Sequence, residues 1–228
     1  LQILLENDRE AEATAELAQI TEGGTPDDLF FAARLLQGQE RFAEVIPLLE
    51  TLLEARPGAG PALFMLGAAQ ERDGRFEDAE TTFQKLLELT PNHAPALNYL
   101  GYMWAERSKN LEQALDMVRR AVSQDPDNGA YVDSLGWIYF QLGRFEEAKP
   151  HLEWAARLEP ADGTVFEHLG DLYVELGEPG KARAAYRRSL DAEPTNDGVE
   201  QKLGDLEAAA GGQRDGSSKT PNKTGSDT

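Results

Sequence analysis

Apolar residues recur along this chain at helical spacing. Between Tyr131 and Pro160 they form two stripes, joined at Leu142-Gly143-Arg144. Leu135, Ile138 and Tyr139 share a face of the first stretch, and Phe145, Ala148, Leu152 and Ala155 share one on the second. Intervals of three and four residues bring side chains to one side of an α-helix. The segment therefore predicts two amphipathic helices folded back on each other. Trp137, directly after Gly136, and Phe140, one turn on, add large aromatics that this stripe does not need.

The same pattern repeats. Pro57, Pro91, Pro126, Pro160 and Pro194 are spaced by 34, 35, 34 and 34 residues, and Gly67, Gly101, Gly136, Gly170 and Gly204 by the same intervals. Ala79, Ala114, Ala148 and Ala182 follow the first four glycines by 12, 13, 12 and 12 residues. Each marker has a mechanical reason. Glycine within a helix costs about 1 kcal/mol against alanine, which makes sense where a second helix crosses too close for a side chain. The alanines lie on that second helix at the same crossing, and Ala121 and Ala155 lie on the same face seven residues on. The prolines end the second helix, because proline lacks an N–H and restricts the residue before it.

A period of this length carrying these markers resembles the tetratricopeptide repeat family. Leu135-Gly136, Tyr139, Gly143, Phe145, Ala148, Ala155 and Pro160 carry the likeness in the best unit. The resemblance implies an all-α fold, a right-handed α-solenoid of antiparallel helix pairs forming a superhelix. It covers five units at 26–59, 60–93, 94–128, 129–162 and 163–196. The first has Ala33 and Val45 at the glycine and alanine places, and the third has an extra residue at Ser108-Lys109-Asn110. Pro47, Pro150 and Pro179 are read as tolerated at helix starts. Residues 1–25 read as the remnant of a truncated preceding unit, with Ala11 aligned on Ala148, so the chain reads as a piece of a longer array. Residues 197–210 predict a polar capping helix, as repeat arrays need at their ends. Residues 211–228 are almost free of apolar side chains and predict disorder.

In such an array the resemblance implies that first helices line a concave groove. The places three before, one after, four after and five after the mid-helix glycine face it. On this chain those places give Phe64, Asn98, Tyr102, Asp133, Trp137, Phe140, Glu167 and Asp171 as candidate partner-binding residues. Tyr102, Trp137 and Phe140 form an aromatic strip in this reading, flanked by Asp133, Glu167 and Asp171; the alternative is that Trp137 packs against the neighbouring unit and is mostly buried. Aromatic residues dominate interface energetics, and acidic groups steer and specify. The expected partner is a protein or peptide with apolar anchors and basic side chains.

Composition narrows the partners. Lys and Arg total 22 against 41 Asp and Glu, a formal net charge of −19. Such a chain is not drawn to nucleic-acid phosphates or anionic lipid. No apolar run approaches the roughly 20 residues of a membrane span, so no direct membrane insertion is expected. With no cysteine there is no thiolate ligand or cysteine nucleophile. His93, His151 and His168 show no metal-ligand spacing, and no phosphate-binding loop appears. No cofactor, no metal and no catalysis are expected. Ser134 lies mid-helix, unsuited to a nucleophile that needs a base and an oxyanion hole.

Residues 96–148 also resemble a block in bacterial envelope repeat proteins, some of which are lipoproteins that deliver substrates to a processing protease. That likeness implies a bacterial adaptor or assembly scaffold on the periplasmic side of the envelope, with a cytoplasmic setting still open. Two other readings stand beside it: the recognition arm of a larger enzyme whose catalytic domain precedes Leu1, and a self-associating structural repeat.

Overall fold

The structure is a computed structural model that describes Leu1 and residues 9–215, with only the backbone of Glu10 and residues 210–215. The described residues hold twelve α-helices and no strand. They are α1 (Glu10–Gly23), α2 (Pro26–Gln37), α3 (Phe42–Ala55), α4 (Gly60–Arg72), α5 (Phe76–Leu89), α6 (Ala94–Glu106), α7 (Leu111–Gln124), α8 (Gly129–Gln141), α9 (Phe145–Leu158), α10 (Gly163–Glu175), α11 (Pro179–Ala192) and α12 (Asp197–Asp215). The fold class is all-α, as the periodicity predicts. The part of the leading remnant at residues 2–8 and the part of the expected tail at residues 216–228 lie outside the described residues. The last helix runs to Asp215, beyond the 210 expected from the sequence.

The chain divides into two compact units, residues 1–103 and 104–228, with the division falling inside α6. In the first unit α2 pairs with α3 and α4 with α5, and α3 also packs on α4. In the second, α8 pairs with α9 and α10 with α11, while α7, α9 and α11 each pack on the helix that follows.

The turn inside each pair requires one residue in the left-handed region. Gly74, Gly143 and Gly177 supply it at φ of +80°, +70° and +69°. Glycine adopts this conformation without a Cβ penalty. Glu40, and Ser108 with Asn110 in the longer turn, adopt it without glycine. First helices carry side-chain caps where the sequence offers them. Asn128 accepts from the Tyr131 N–H, and Asp162 accepts from the N–H groups of Thr164 and Val165. Second helices start at Arg41, Arg75 and Arg144 with no side-chain cap, and acidic residues fill their first turns. Negative charge is favourable there, at the positive end of the helix dipole.

Crossings are tight at the repeated glycines. A Cβ on Gly136 would lie 2.7 Å from Leu152 Cγ and 3.0 Å from the Leu152 backbone nitrogen. One on Gly67 would meet the Phe83 ring at 2.8 Å. Ala79, Ala114, Ala148 and Ala182 are fully buried opposite. Two prolines depart from the sequence reading. Pro47 and Pro150 stand at the sixth residue of α3 and α9, past the helix start, while Pro179 does begin α11. Both interior prolines are exposed, as are Ala43 and Glu146 four residues before them. The carbonyls that lose an N–H partner therefore lie on a solvated face, which makes the interior proline tolerable.

Candidate partner-binding face

In the second unit, α8 and α10 bring Asp133, Trp137, Phe140, Glu167 and Asp171 to neighbouring places. Their environments differ from one another. Trp137 is only 8% exposed. Its ring stacks on Phe140 at 4.8 Å and on His168 at 4.0 Å, both nearly parallel. Its indole N–H donates to Glu106 Oε1 at 2.6 Å. Asp133 is 5% exposed, and its Oδ2 accepts from His168 Nδ1 at 2.9 Å. The open aromatic strip expected from the sequence is thus closed over at Trp137 and Asp133, because His168 from the next first helix fills the space between them. Phe140, Glu167 and Asp171 remain partly exposed.

His168 is the residue the sequence reading missed. Burial opposes its charge, yet the Asp133 carboxylate, with Glu106 and Asp171 nearby, more than offsets this and raises its pKa above the ordinary 6.5. A signal for it was present. His168 stands two places before Gly170, and Asp133 three places before Gly136, 35 residues apart. Lys202, two before Gly204, reaches Glu167, three before Gly170, across the same 35 residues. In the first unit Tyr99, two before Gly101, meets Phe64, three before Gly67, edge-on at 5.8 Å. The same register thus links α6 to α4, α10 to α8 and α12 to α10, and in these pairs it consumes the place three before the glycine.

The Lys202 contact shows what chemistry the face accepts. Its ammonium donates to Glu167 Oε1 at 2.8 Å and to Asp171 Oδ2 at 2.7 Å. Burial would lower the Lys202 pKa, but these two carboxylates hold it above the usual value. Asp171 Oδ1 accepts from the Tyr186 hydroxyl at 2.7 Å, and Asn196 donates to Glu167 Oε2 at 3.2 Å. The carboxylates are oriented by several donors, and they sit on the same first helix as His168.

The first unit carries Phe64, Asn98 and Tyr102. Phe64 is half-buried among Phe83, His93 and Tyr99. Asn98 is partly exposed, but its Oδ1 is buried with no hydrogen-bond partner. Tyr102 is partly exposed.

Ser134 is buried, and its hydroxyl donates to the Ala130 carbonyl at 2.9 Å. Among the described residues no three His, Cys, Asp or Glu side chains converge as a metal ion would need. No helix among them is long and apolar enough to cross a membrane.

Known proteins share this architecture. A tetratricopeptide repeat family model matches residues 32–94, 69–129 and 134–197, together more than half of the chain. The chain is 34% identical over 58 residues to the TPR repeat-containing protein PA4667 of Pseudomonas aeruginosa. That match takes in 25% of this chain and spans about a tenth, 10%, of the relative's length. Among solved structures, a thermophilic TPR protein of Thermus thermophilus superposes with a TM-score of 0.66 at 22% identity, over 81% of this chain and 100% of that one. MamA from residue 41 onward, of Desulfovibrio magneticus RS-1, gives 0.64 at 20% identity over 77% and 98%. PilF of Pseudomonas aeruginosa gives 0.64 at 20% over 82% and 89%. These likenesses carry the fold, that of helical repeat solenoids. The chain belongs to the tetratricopeptide repeat family.

Proposed function

We propose that this protein is a non-catalytic adaptor whose α8–α10 face binds a partner segment carrying a lysine or arginine beside an apolar anchor. The fold is one of protein–protein interaction scaffolds, and the proposal adds the site and the chemistry of the ligand. One observation carries it: Glu167 and Asp171 already hold an ammonium, that of Lys202, at 2.8 and 2.7 Å. The partly exposed Phe140, stacked on Trp137, offers apolar area in the same unit. An incoming cation would share this carboxylate pair with Lys202 or displace it. In this reading Asp133 and Trp137 are positioning residues, and Phe140, Glu167 and Asp171 make the contacts. In the first unit Phe64, Asn98 and Tyr102 are proposed as a separate set of partner contacts. The likeness of residues 96–148 to envelope repeat proteins supports an adaptor in a bacterial envelope.

The test is selection of binding peptides from a random display library on the full chain. Binding is then measured for wild type, Phe140→Ala and a Glu167→Gln, Asp171→Asn double variant. The expected enrichment is of basic residues next to aromatic or aliphatic ones, with affinity falling about tenfold or more in both variants, the scale of a single hot-spot loss. Peptides without basic residues, or peptides bound equally by all three proteins, would remove the proposal.

A further inference from the structure

The place three residues after the mid-helix glycine holds Gln70 in α4, Trp104 in α6, Tyr139 in α8 and Tyr173 in α10. In the second unit the tyrosines fill the space between consecutive second helices. Tyr139 is buried, and its hydroxyl accepts from Arg119 on α7. Tyr173 is buried, and its hydroxyl donates to Glu153 on α9 at 2.9 Å. Cations lie over both rings, Arg119 at 5.5 Å from Tyr139 and Lys181 at 5.1 Å from Tyr173. Gln70 is too short for this work and turns the other way. Its Oε1 accepts from the Thr82 hydroxyl on α5, its own partner helix, at 2.7 Å.

The space towards α3 is left open. An exposed cleft of about 560 Å³ lies there, with Leu53, Leu63 and Leu66 among its apolar walls and Glu50 and Arg75 among its charged ones. Glu50 lies five residues after Val45, as Glu153 lies five after Ala148, so the cleft keeps the carboxylate that receives the Tyr173 hydroxyl in the second unit. Arg75 lies 3.8 Å from Glu50, and both are about half exposed.

We propose that this cleft is a binding site for a tyrosine side chain of a partner protein. The ring would lie against Leu53, Leu63 and Leu66, where the chain's own tyrosines lie in the other unit. The phenol O–H would donate to Glu50, and Arg75 would supply the cation at the ring. The match is one of shape and of charge: an acceptor for the hydroxyl, a cation for the π-face and an apolar wall for the ring edge. The occupant is not one of the chain's own end segments, since residues 2–8 and 216–228 contain no aromatic residue. The site lies on α3, α4 and α5 and uses none of the residues of the α8–α10 face, so it stands or falls independently of it.

The experiment is methyl NMR on the full chain with leucine methyls labelled, titrated with N-acetyl-L-tyrosinamide, N-acetyl-L-phenylalaninamide and N-acetyl-L-leucinamide. The tyrosine amide should shift the methyls of Leu53, Leu63 and Leu66 saturably and bind more tightly than the other two. Gln70→Tyr should abolish these shifts by filling the cleft and should raise Tm. Glu50→Gln, a change at a half-exposed residue, should remove the preference for tyrosine over phenylalanine while the fold stays intact. The proposal is overturned if wild type shows no saturable shift at those methyls, if the leucine amide binds as well, or if Glu50→Gln keeps the tyrosine preference. Shifts at these methyls that grow with protein concentration alone would assign the cleft to a second copy of this chain and equally overturn it.

Discussion

At the scale of single residues, two histidines in related repeats are driven in opposite directions by their surroundings. His151 stacks on Tyr139 and is half-buried; burial, then Arg119 nearby, lowers its pKa below 6.5. His168 is more deeply buried, yet its pKa is raised, because burial is outweighed by Asp133 and the carboxylates beyond it. Proton NMR titration should therefore place the His151 ring below, and the His168 ring above, the ordinary histidine value. The sign of the stability effect follows. A raised folded-state pKa means that stabilisation from the charged His168–Asp133 pair is fully present below the unfolded value of about 6.5. It is lost as pH rises through the folded-state pKa. Asp133→Asn should lower stability by about 3 kcal/mol near pH 6, the scale for breaking a buried pair, and by clearly less near pH 9. A difference that is constant with pH in denaturant melts would mean that His168 is neutral throughout. The histidine's role is not legible from its own place, two before the glycine, which reads as ordinary core. Only the neighbour one period earlier, Asp133, shows that a charge is being met there.

At the scale of the helix pair, one sequence marker has two meanings. Gly136 and Gly204 occupy the same register, and the periodicity gave no reason to separate them. In the structure a Cβ at Gly136 would strike Leu152, backbone included, whereas a Cβ at Gly204 in α12 would meet nothing within 4 Å among the described residues. Gly136→Ala should therefore lower stability by about 1–3 kcal/mol, as overpacking of a tight crossing does. Gly204→Ala should raise it by up to about 1 kcal/mol, the helix propensity gained with no clash. Urea melts of both variants against wild type check the pair; equal signs would refute the crossing argument. The same scale explains what the sequence did and did not reveal about the elements. Helices and their partners were legible because glycine, alanine and proline mark crossings and stops at fixed intervals. Between burial and exposure of Trp137 the sequence does not decide, since a place facing a neighbour's next helix and a place facing solvent share one position in the repeat. Pro47 and Pro150 were misplaced for a related reason: proline signals a helix start statistically, but an exposed interior position accepts it as well.

At the scale of the whole molecule, the excess of 41 acidic over 22 basic residues sets how salt acts. Exposed ion pairs such as Arg56–Asp27 and Arg187–Glu207 are each worth at most about 1 kcal/mol, and salt weakens them. With nearly two carboxylates per cation, repulsive pairs outnumber attractive ones over the surface, and folding concentrates that charge in a smaller volume. Screening shortens the reach of these fields to about 10 Å at 0.1 M salt, so it relieves more repulsion than it removes attraction. Tm should rise as sodium chloride goes from about 10 mM to about 300 mM, where the Debye length falls several-fold. The association of a basic peptide with Glu167 and Asp171 should respond with the opposite sign, since salt screens an attraction there. Circular-dichroism melts and peptide titrations over one salt series read both effects. A Tm that falls with salt would show that the ion pairs outweigh the net charge. Peptide binding that ignores salt would show that the carboxylate pair plays no part in recognition, leaving apolar contact at Phe140 to carry it.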